Sequence, residues 1–176
     1  MSVESTIPEN INFLSPMKFR FFIKKTPHLN FFTQQVNLPS IELPSTEYDN
    51  PYVKIPLSGD HIIYEDLKVS FKVDEDLENY LEIHNWIRGL GFPTDFKEYR
   101  DLKEKKNYTG DGLVSDISLM MLSNKDNPIF EVTYIDAFPY YLSGIQFSST
   151  NKENQVSATA HFKYTYYDIT RLKILS

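Results

Sequence analysis

Between Gln155 and Asp168 apolar and polar residues alternate almost without interruption. Val156, Ala158, Ala160, Phe162, Tyr164 and Tyr166 fall on one side, and Ser157, Thr159, His161, Lys163 and Thr165 on the other. A period of two suits a strand with one face on a core and the other toward water or a polar partner, the habit of antiparallel sheets. Leu67–Val73 repeats the pattern, with Leu67, Val69, Phe71 and Val73 set against Lys68, Ser70 and Lys72. These two segments commit the chain to a mainly β fold, and the rest of the sequence must be fitted around them.

Other stretches join the pattern. Phe19, Phe21 and Ile23 share one face of a strand starting at Lys18. Thr26-Pro27-His28 breaks it, and a second strand is expected from Asn30 to about Leu38, making an N-terminal hairpin. Asp116–Leu122 and Ile129–Ile135 flank Ser123-Asn124-Lys125-Asp126-Asn127-Pro128, whose residues suit a hairpin turn. Residues 137–141 are expected to interrupt the strand pattern, Ser143–Ser148 to form a short strand, and residues 150–154 to turn the chain into the long final strand. One strong helix is expected over about 74–89, with Asp74 as N-cap and Glu75, Asp76 and Glu78 in its first turn. Leu77, Tyr80, Leu81, His84 and Ile87 fall at helical spacing, widened by Ile83, Trp86 and Leu90, and His84 is expected to pack half-buried. Gly89, Gly91 and Pro93 end the helix. The predicted architecture is a single domain over 1–176, an antiparallel β-sandwich or barrel with one flanking helix.

Three segments stand outside this frame. Residues 1–16 are polar and read as an extended arm. Residues 94–112 form a mixed-charge excursion in which Phe96, Tyr99 and Leu102 could line a short helix. Residues 39–60 contain Pro39, Pro44, Pro51 and Pro56, with Gly59 close behind. Each proline removes a backbone donor, so this stretch cannot be a central strand. It is either a long extended loop or a protruding edge hairpin, and loops of that length are usually functional or mobile.

Composition removes many activities. The 176 residues contain no cysteine, which excludes disulfides, thiolate metal sites and a Cys nucleophile. A formal charge of −6 argues against tight nonspecific nucleic-acid binding. No apolar run reaches the ~20 residues a membrane-spanning helix needs, and the N-terminus does not read as a signal peptide. His28, His61, His84 and His161 are scattered; only His61 and Glu65 are suggestively spaced, and they fall where a strand is expected rather than a helix. No phosphate-binding glycine loop and no Gly-x-Ser-x-Gly elbow occur. The acidic set Asp74, Glu75, Asp76 and Glu78 reads as helix capping rather than as paired catalytic carboxylates. Neither a cofactor nor a catalytic site is expected. The tyrosines invite a carbohydrate-binding module, but Tyr164, Tyr166 and Tyr167 read first as core and subunit-interface packing.

The order of features then becomes informative. Val132-Thr133-Tyr134-Ile135-Asp136-Ala137-Phe138-Pro139 is followed by Leu142-Ser143-Gly144-Ile145-Gln146-Phe147, a polar turn at Asn151–Asn154, and a strand closing on Tyr166-Tyr167-Asp168-Ile169. Earlier come Leu38-Pro39, then Ile55-Pro56-Leu57-Ser58-Gly59-Asp60, then Phe71-Lys72-Val73-Asp74 ahead of a helix bearing Trp86. Over roughly residues 17–170 this series resembles the tail tube proteins of contractile-tailed bacteriophages, whose fold is shared by the type VI secretion tube and by baseplate proteins that initiate the tube. The resemblance implies a structural virion protein assembled in the host cytoplasm, forming hexameric rings that stack into a tube and contact tail sheath and baseplate proteins. Residues 39–60 would then reach the adjacent ring, presenting Pro44, Tyr48, Pro51, Tyr52 and Ile55. Ser157, Thr159, His161 and Lys163 would form a lumen or inter-sheet face. DNA would pass without specific binding, which an acidic wall would assist by like-charge repulsion. The length of 94–112 and of the N-terminal arm leaves open a specialised ring, such as the initiator on the baseplate.

Overall fold

The computed structural model describes residues 13–91, 96–104, 112–147 and 155–172. Residues 1–12 of the expected arm, the turn at 150–154 and parts of the 94–112 excursion lie outside that set. The architecture is mainly antiparallel β, as the alternation requires. One continuous path runs β1 (Phe19–Ile23), β8 (Ser115–Leu122), β9 (Pro128–Leu142), β10 (Ser157–Lys163), β7 (Leu67–Lys72) and β2 (Thr33–Val36), with β11 (Tyr166–Arg171) also paired to β9.

β9 belongs to both halves of this path. Its first part, to Ala137, pairs with β8 and with β11, and its last part, Phe138–Leu142, pairs with β10. The change occurs at Asp136, which adopts a positive φ of 54° at a register shift opposite Asp116. Asp tolerates that conformation better than most residues, and the extra residue bends the strand. The Asp136 N–H is held by Asp116 Oδ1 at 3.4 Å. Residues 137–141 therefore do not interrupt the strand, as the sequence suggested; they carry it around a corner.

Inward residues from both halves make one core: Phe21, Ile23, Ile117, Leu119, Val132 and Tyr134 on one side, and Leu67, Val69, Phe71, Ala158, Ala160 and Phe162 on the other. Helix α2 (Glu78–Gly91) closes it with Ile83 and Trp86. The Trp86 indole lies 6.2 Å from the Phe162 ring and donates to the Leu113 carbonyl at 2.8 Å, so its polar edge is satisfied while its bulk is buried. Helix α3 (Phe96–Glu104) packs on α2, as the Phe96, Tyr99 and Leu102 spacing suggested. A Cβ on Gly89 would stand 3.2 Å from the Leu102 side chain, so a larger residue there requires Leu102 to shift by a few tenths of an ångström.

Several expectations need correction. Asn30 does not open a strand; residues Pro27–Phe32 form a short helix, α1, and only Thr33–Val36 are extended. The N-terminal hairpin does not exist, because β1 pairs with β8 and β2 with β7, at opposite ends of the path. The Asn30 amide explains the first difference. It accepts from Ile23 N–H at 2.8 Å and donates to Ile23 C=O at 3.0 Å, standing in for a strand neighbour. α2 begins at Glu78, not after an Asp74 cap, because Leu77 takes a φ of 60° and ends a separate turn. Asp74, Glu75 and Asp76 thus precede the helix, and the buried Asn79 ties it to β7 by donating to Lys72 C=O at 2.7 Å. His84 is exposed, not half-buried. The long final strand breaks after Lys163 into β10 and β11, since the chain crosses from one half of the path to the other there. Gly144–Phe147 is irregular rather than a strand, and Ser148 lies outside the described residues.

Candidate assembly interface

Residues 39–66 leave the body and return to it as a stalk and an arm. Short strands β3 (Ile41–Glu42) and β6 (Ile63–Tyr64) pair to make the neck, and β4 (Ser45–Asp49) and β5 (Lys54–Ser58) pair beyond them. Of the two forms the sequence allowed, the protruding hairpin is the one formed. The Gly59 N–H donates to the Pro44 carbonyl at 2.7 Å where arm meets neck. A Cβ on Gly59 would fall 2.5 Å from that same oxygen, so glycine is required there.

The neck is fastened from three directions. The Tyr164 hydroxyl donates to Glu65 C=O at 2.8 Å, and the Tyr167 hydroxyl to Pro39 C=O at 3.4 Å, so one tyrosine holds each root. Their rings cluster with Tyr64 and with the buried Tyr134, at centroid distances of 5.1 to 6.2 Å. Burial of its phenol, with Tyr164 and Tyr167 alongside, pushes the Tyr134 hydroxyl well above its ordinary range. Tyr134 and its two neighbours thus do pack against the core, whereas Tyr166 is exposed. Asn37 bridges the roots by accepting from Lys68 N–H at 2.6 Å and donating to Asp66 C=O at 3.1 Å. Glu65 accepts from Lys68 Nζ at 2.9 Å and from Ser40 Oγ at 3.0 Å, which holds its carboxyl below the usual range. Partial burial opposes ionisation of Asp66, but hydrogen bonds from Lys163 and Tyr140 outweigh it and lower that carboxyl too.

The arm contrasts with its fastening. All ten residues of β4 and β5 are exposed. Tyr48, Pro51, Tyr52 and Ile55, four of the five residues singled out from the sequence, stand on it in solvent, with Tyr52 at 95% exposure at the tip; Pro44 is half-buried at its base. Val53 and Leu57 are exposed there as well. The ion pair within the arm is Lys54 with Glu47, at 2.8 Å. An isolated two-stranded hairpin is marginal in water.

Ser157, Thr159, His161 and Lys163 do share one face of β10, since the intervening Ala158, Ala160 and Phe162 are buried. Register places Lys72, Ser70 and Lys68 beside Ser157, Thr159 and His161 on β7. Ser70 and Thr159 hydroxyls meet at 3.1 Å, the His161 ring lies 4.7 Å from Tyr141, and Lys163 sits over Tyr140 while pairing with Asp66 at 2.5 Å. This face is therefore lysine-bearing and not acidic. The acidic residues gather instead on the arm, at Glu42, Glu47, Asp49 and Asp60, and at the entry to α2. There His28 lies between Glu82, at 2.6 Å, and Glu78, at 3.4 Å. The hydrogen bond to Glu82 raises the His28 pKa. Sequence spacing does not join His28 to those carboxylates, because the six-residue helix that carries it is too short to show a period. Among the described residues no group of three His, Asp or Glu is placed to hold a metal ion.

Comparison with known proteins places this arrangement. A family model described as "Phage tail tube protein" matches residues 2–170. No curated protein sequence matches the chain. Similar solved structures include the anti-feeding prophage tube-terminating cap, with a TM-score of 0.58 at 11% identity, covering 98% of this chain and 100% of that one. The baseplate of the same prophage aligns at 0.56 and 12% identity, covering 89% and 93%. The sheath–tube complex of an extracellular contractile injection system aligns at 0.53 and 12% identity, covering 97% and 95%. At those identities the likeness is one of fold.

Proposed function

This chain belongs to the phage tail tube protein family, and we propose that it is the repeating subunit of the tube, closing into hexameric rings that stack and through which DNA is ejected. The observation that carries this reading is the β4–β5 arm, a hairpin bearing exposed Tyr48, Tyr52, Val53, Ile55 and Leu57, fastened at its roots and unsupported along its length. Such an arm suits a protein whose partner is another ring. The free edges agree. Among the described residues β1 pairs only with β8 and β2 only with β7. Exposed edges are an aggregation hazard in a monomer and are removed when neighbours in a ring pair with them.

In this reading the chain is a virion component assembled in the host cytoplasm, with tail sheath and baseplate proteins as its other partners. The polar face of β7 and β10 is the candidate for the channel wall. Its lysines are balanced mainly by Glu65 and Asp66, so passage of DNA rests on near-neutrality and small hydroxyls rather than on an acidic wall. A specialised ring on the baseplate is the second reading, favoured by the packed α3 excursion.

Electron microscopy and the oligomeric mass of the purified chain test the proposal. Rings or tubes are expected; a monomer at high concentration, with or without a preformed baseplate to seed it, contradicts it. Deleting residues 44–56 should leave a folded body that no longer stacks.

A further inference from the structure

The arm and its roots occupy one end of the β2–β7–β10 sheet, and the opposite end holds an open groove of about 730 Å³. Three adjacent strands show the polarity. β7 runs from Leu67, beside the neck, to Lys72, in the groove; β10 runs from the groove at Val156 back to Lys163 and Asp66; β2 leads from Phe31 and Phe32 in the groove to Asn37 at the neck. The groove is walled by Phe31 and Phe147, 85% and 81% exposed, with Leu77 beside them. Lys72 and Asp74 also line it.

We propose that this groove is the seat for the β4–β5 hairpin of a second copy of the chain. The inference rests on the tube reading and goes beyond it by naming the receiving surface. Exposed apolar side chains at opposite ends of one sheet suit a head-to-tail contact, and where the rotation does not close a ring such a contact propagates along an axis. The tip offers Tyr52 and Val53, the aromatic and branched side chains that fill a groove lined by phenylalanine. One pair of charges is complementary against a background of like-signed acids, since Glu47 and Asp49 lie on the arm and Asp74 and Glu75 line the groove. Asp49 beside the tip and Lys72 in the groove each have no ion-pair partner among the described residues, and their signs are opposite. Asp74 and Glu75 also line the groove, so the seat is no general anion trap; it admits an apolar tip with one carboxylate turned toward Lys72. Asp74 Oδ1 is buried without a hydrogen-bond partner beside the groove.

The absence of native cysteine makes the test clean. Tyr52→Cys is combined with Phe147→Cys, and separately with Phe31→Cys, and assembled full-length protein is treated with a short bismaleimide. A ladder of covalent multimers is expected, with none for Tyr52→Cys combined with Phe138→Cys, which lies at the neck end of the sheet. Tubes visible by microscopy but without a ladder from either groove pair overturn the seat and leave the tube reading standing. A wild-type chain that forms no rings or tubes overturns both. Charge reversal gives a second readout: Lys72→Glu should raise the concentration needed for assembly about tenfold. Adding Asp49→Lys should restore it, and a double variant no better than the single one counts against the seat.

Discussion

The Trp86 end of the body and the β4–β5 arm use the same kinds of residue to opposite effect. Around Trp86 the aromatic and branched side chains find Phe162, Ile83 and Leu113 within one chain. On the arm, Tyr48, Tyr52, Val53, Ile55 and Leu57 have only the hairpin itself beside them and stay 40 to 95% exposed. Burying a side chain of this size is worth ~1.5–3 kcal/mol. The body therefore collects its stabilisation on folding, and in the proposed tube the arm would collect its share on assembly. On the proposed tube reading, the difference makes folding and assembly separable, with the neck as the place where they are joined.

That separation can be broken from either side. Trp86→Ala should have the largest effect on folding, a loss of ~3–5 kcal/mol read by urea denaturation, because the cavity lies in the core. Assembly should fail only as a consequence of unfolding. Tyr52→Ser should do the reverse, abolishing or strongly weakening stacking in a sedimentation assay while the denaturation midpoint changes by no more than ~0.5 kcal/mol equivalent. If the two variants had matching effects on both assays, the division between body and arm would be wrong.

The neck sharpens the comparison. Gly59→Ala places a methyl against Pro44 C=O and should loosen the arm, seen as faster amide exchange over 44–59 with body amides unchanged. Tyr164→Phe removes the hydroxyl that holds Glu65 C=O and should cost about 1 kcal/mol, confined to the neck. The smallest effect is that of pH. Glu65 and Asp66 both have lowered pKa values in the folded chain, so their contribution is present above the unfolded value of about 4. It is lost as pH falls through the lowered folded values. Amide exchange at the neck, corrected for its intrinsic pH dependence, should rise in that acid range before the body opens; a neck that loosens instead between pH 6 and 8 would contradict the assignment.

Much of this was legible in the sequence, for identifiable reasons. Strands with one buried face reveal themselves by alternation, so β7 and β10 were readable residue by residue. Four prolines and a glycine marked residues 39–60 as no central strand. What was hidden depends on contacts distant in sequence. The Asn30 amide substitutes for a strand neighbour of Ile23, so Phe31-Phe32 looked like strand and is helix. Leu77 adopts a positive φ that no alternation or helical period signals, and it displaced the helix start past Asp74. The exchange of β9 between two partners hinges on Asp136, an unremarkable residue in sequence. The groove opposite the arm could not be read at all, because Phe31, Lys72 and Phe147 come from three separate parts of the chain.

The central claim is that the arm is completed by another copy. Amide hydrogen exchange over residues 45–58, compared between unassembled chain and assembled tubes, tests it most directly. A marked gain in protection of β4 and β5 on assembly is the predicted result. Equal exchange in both states, with tubes present, would contradict the account.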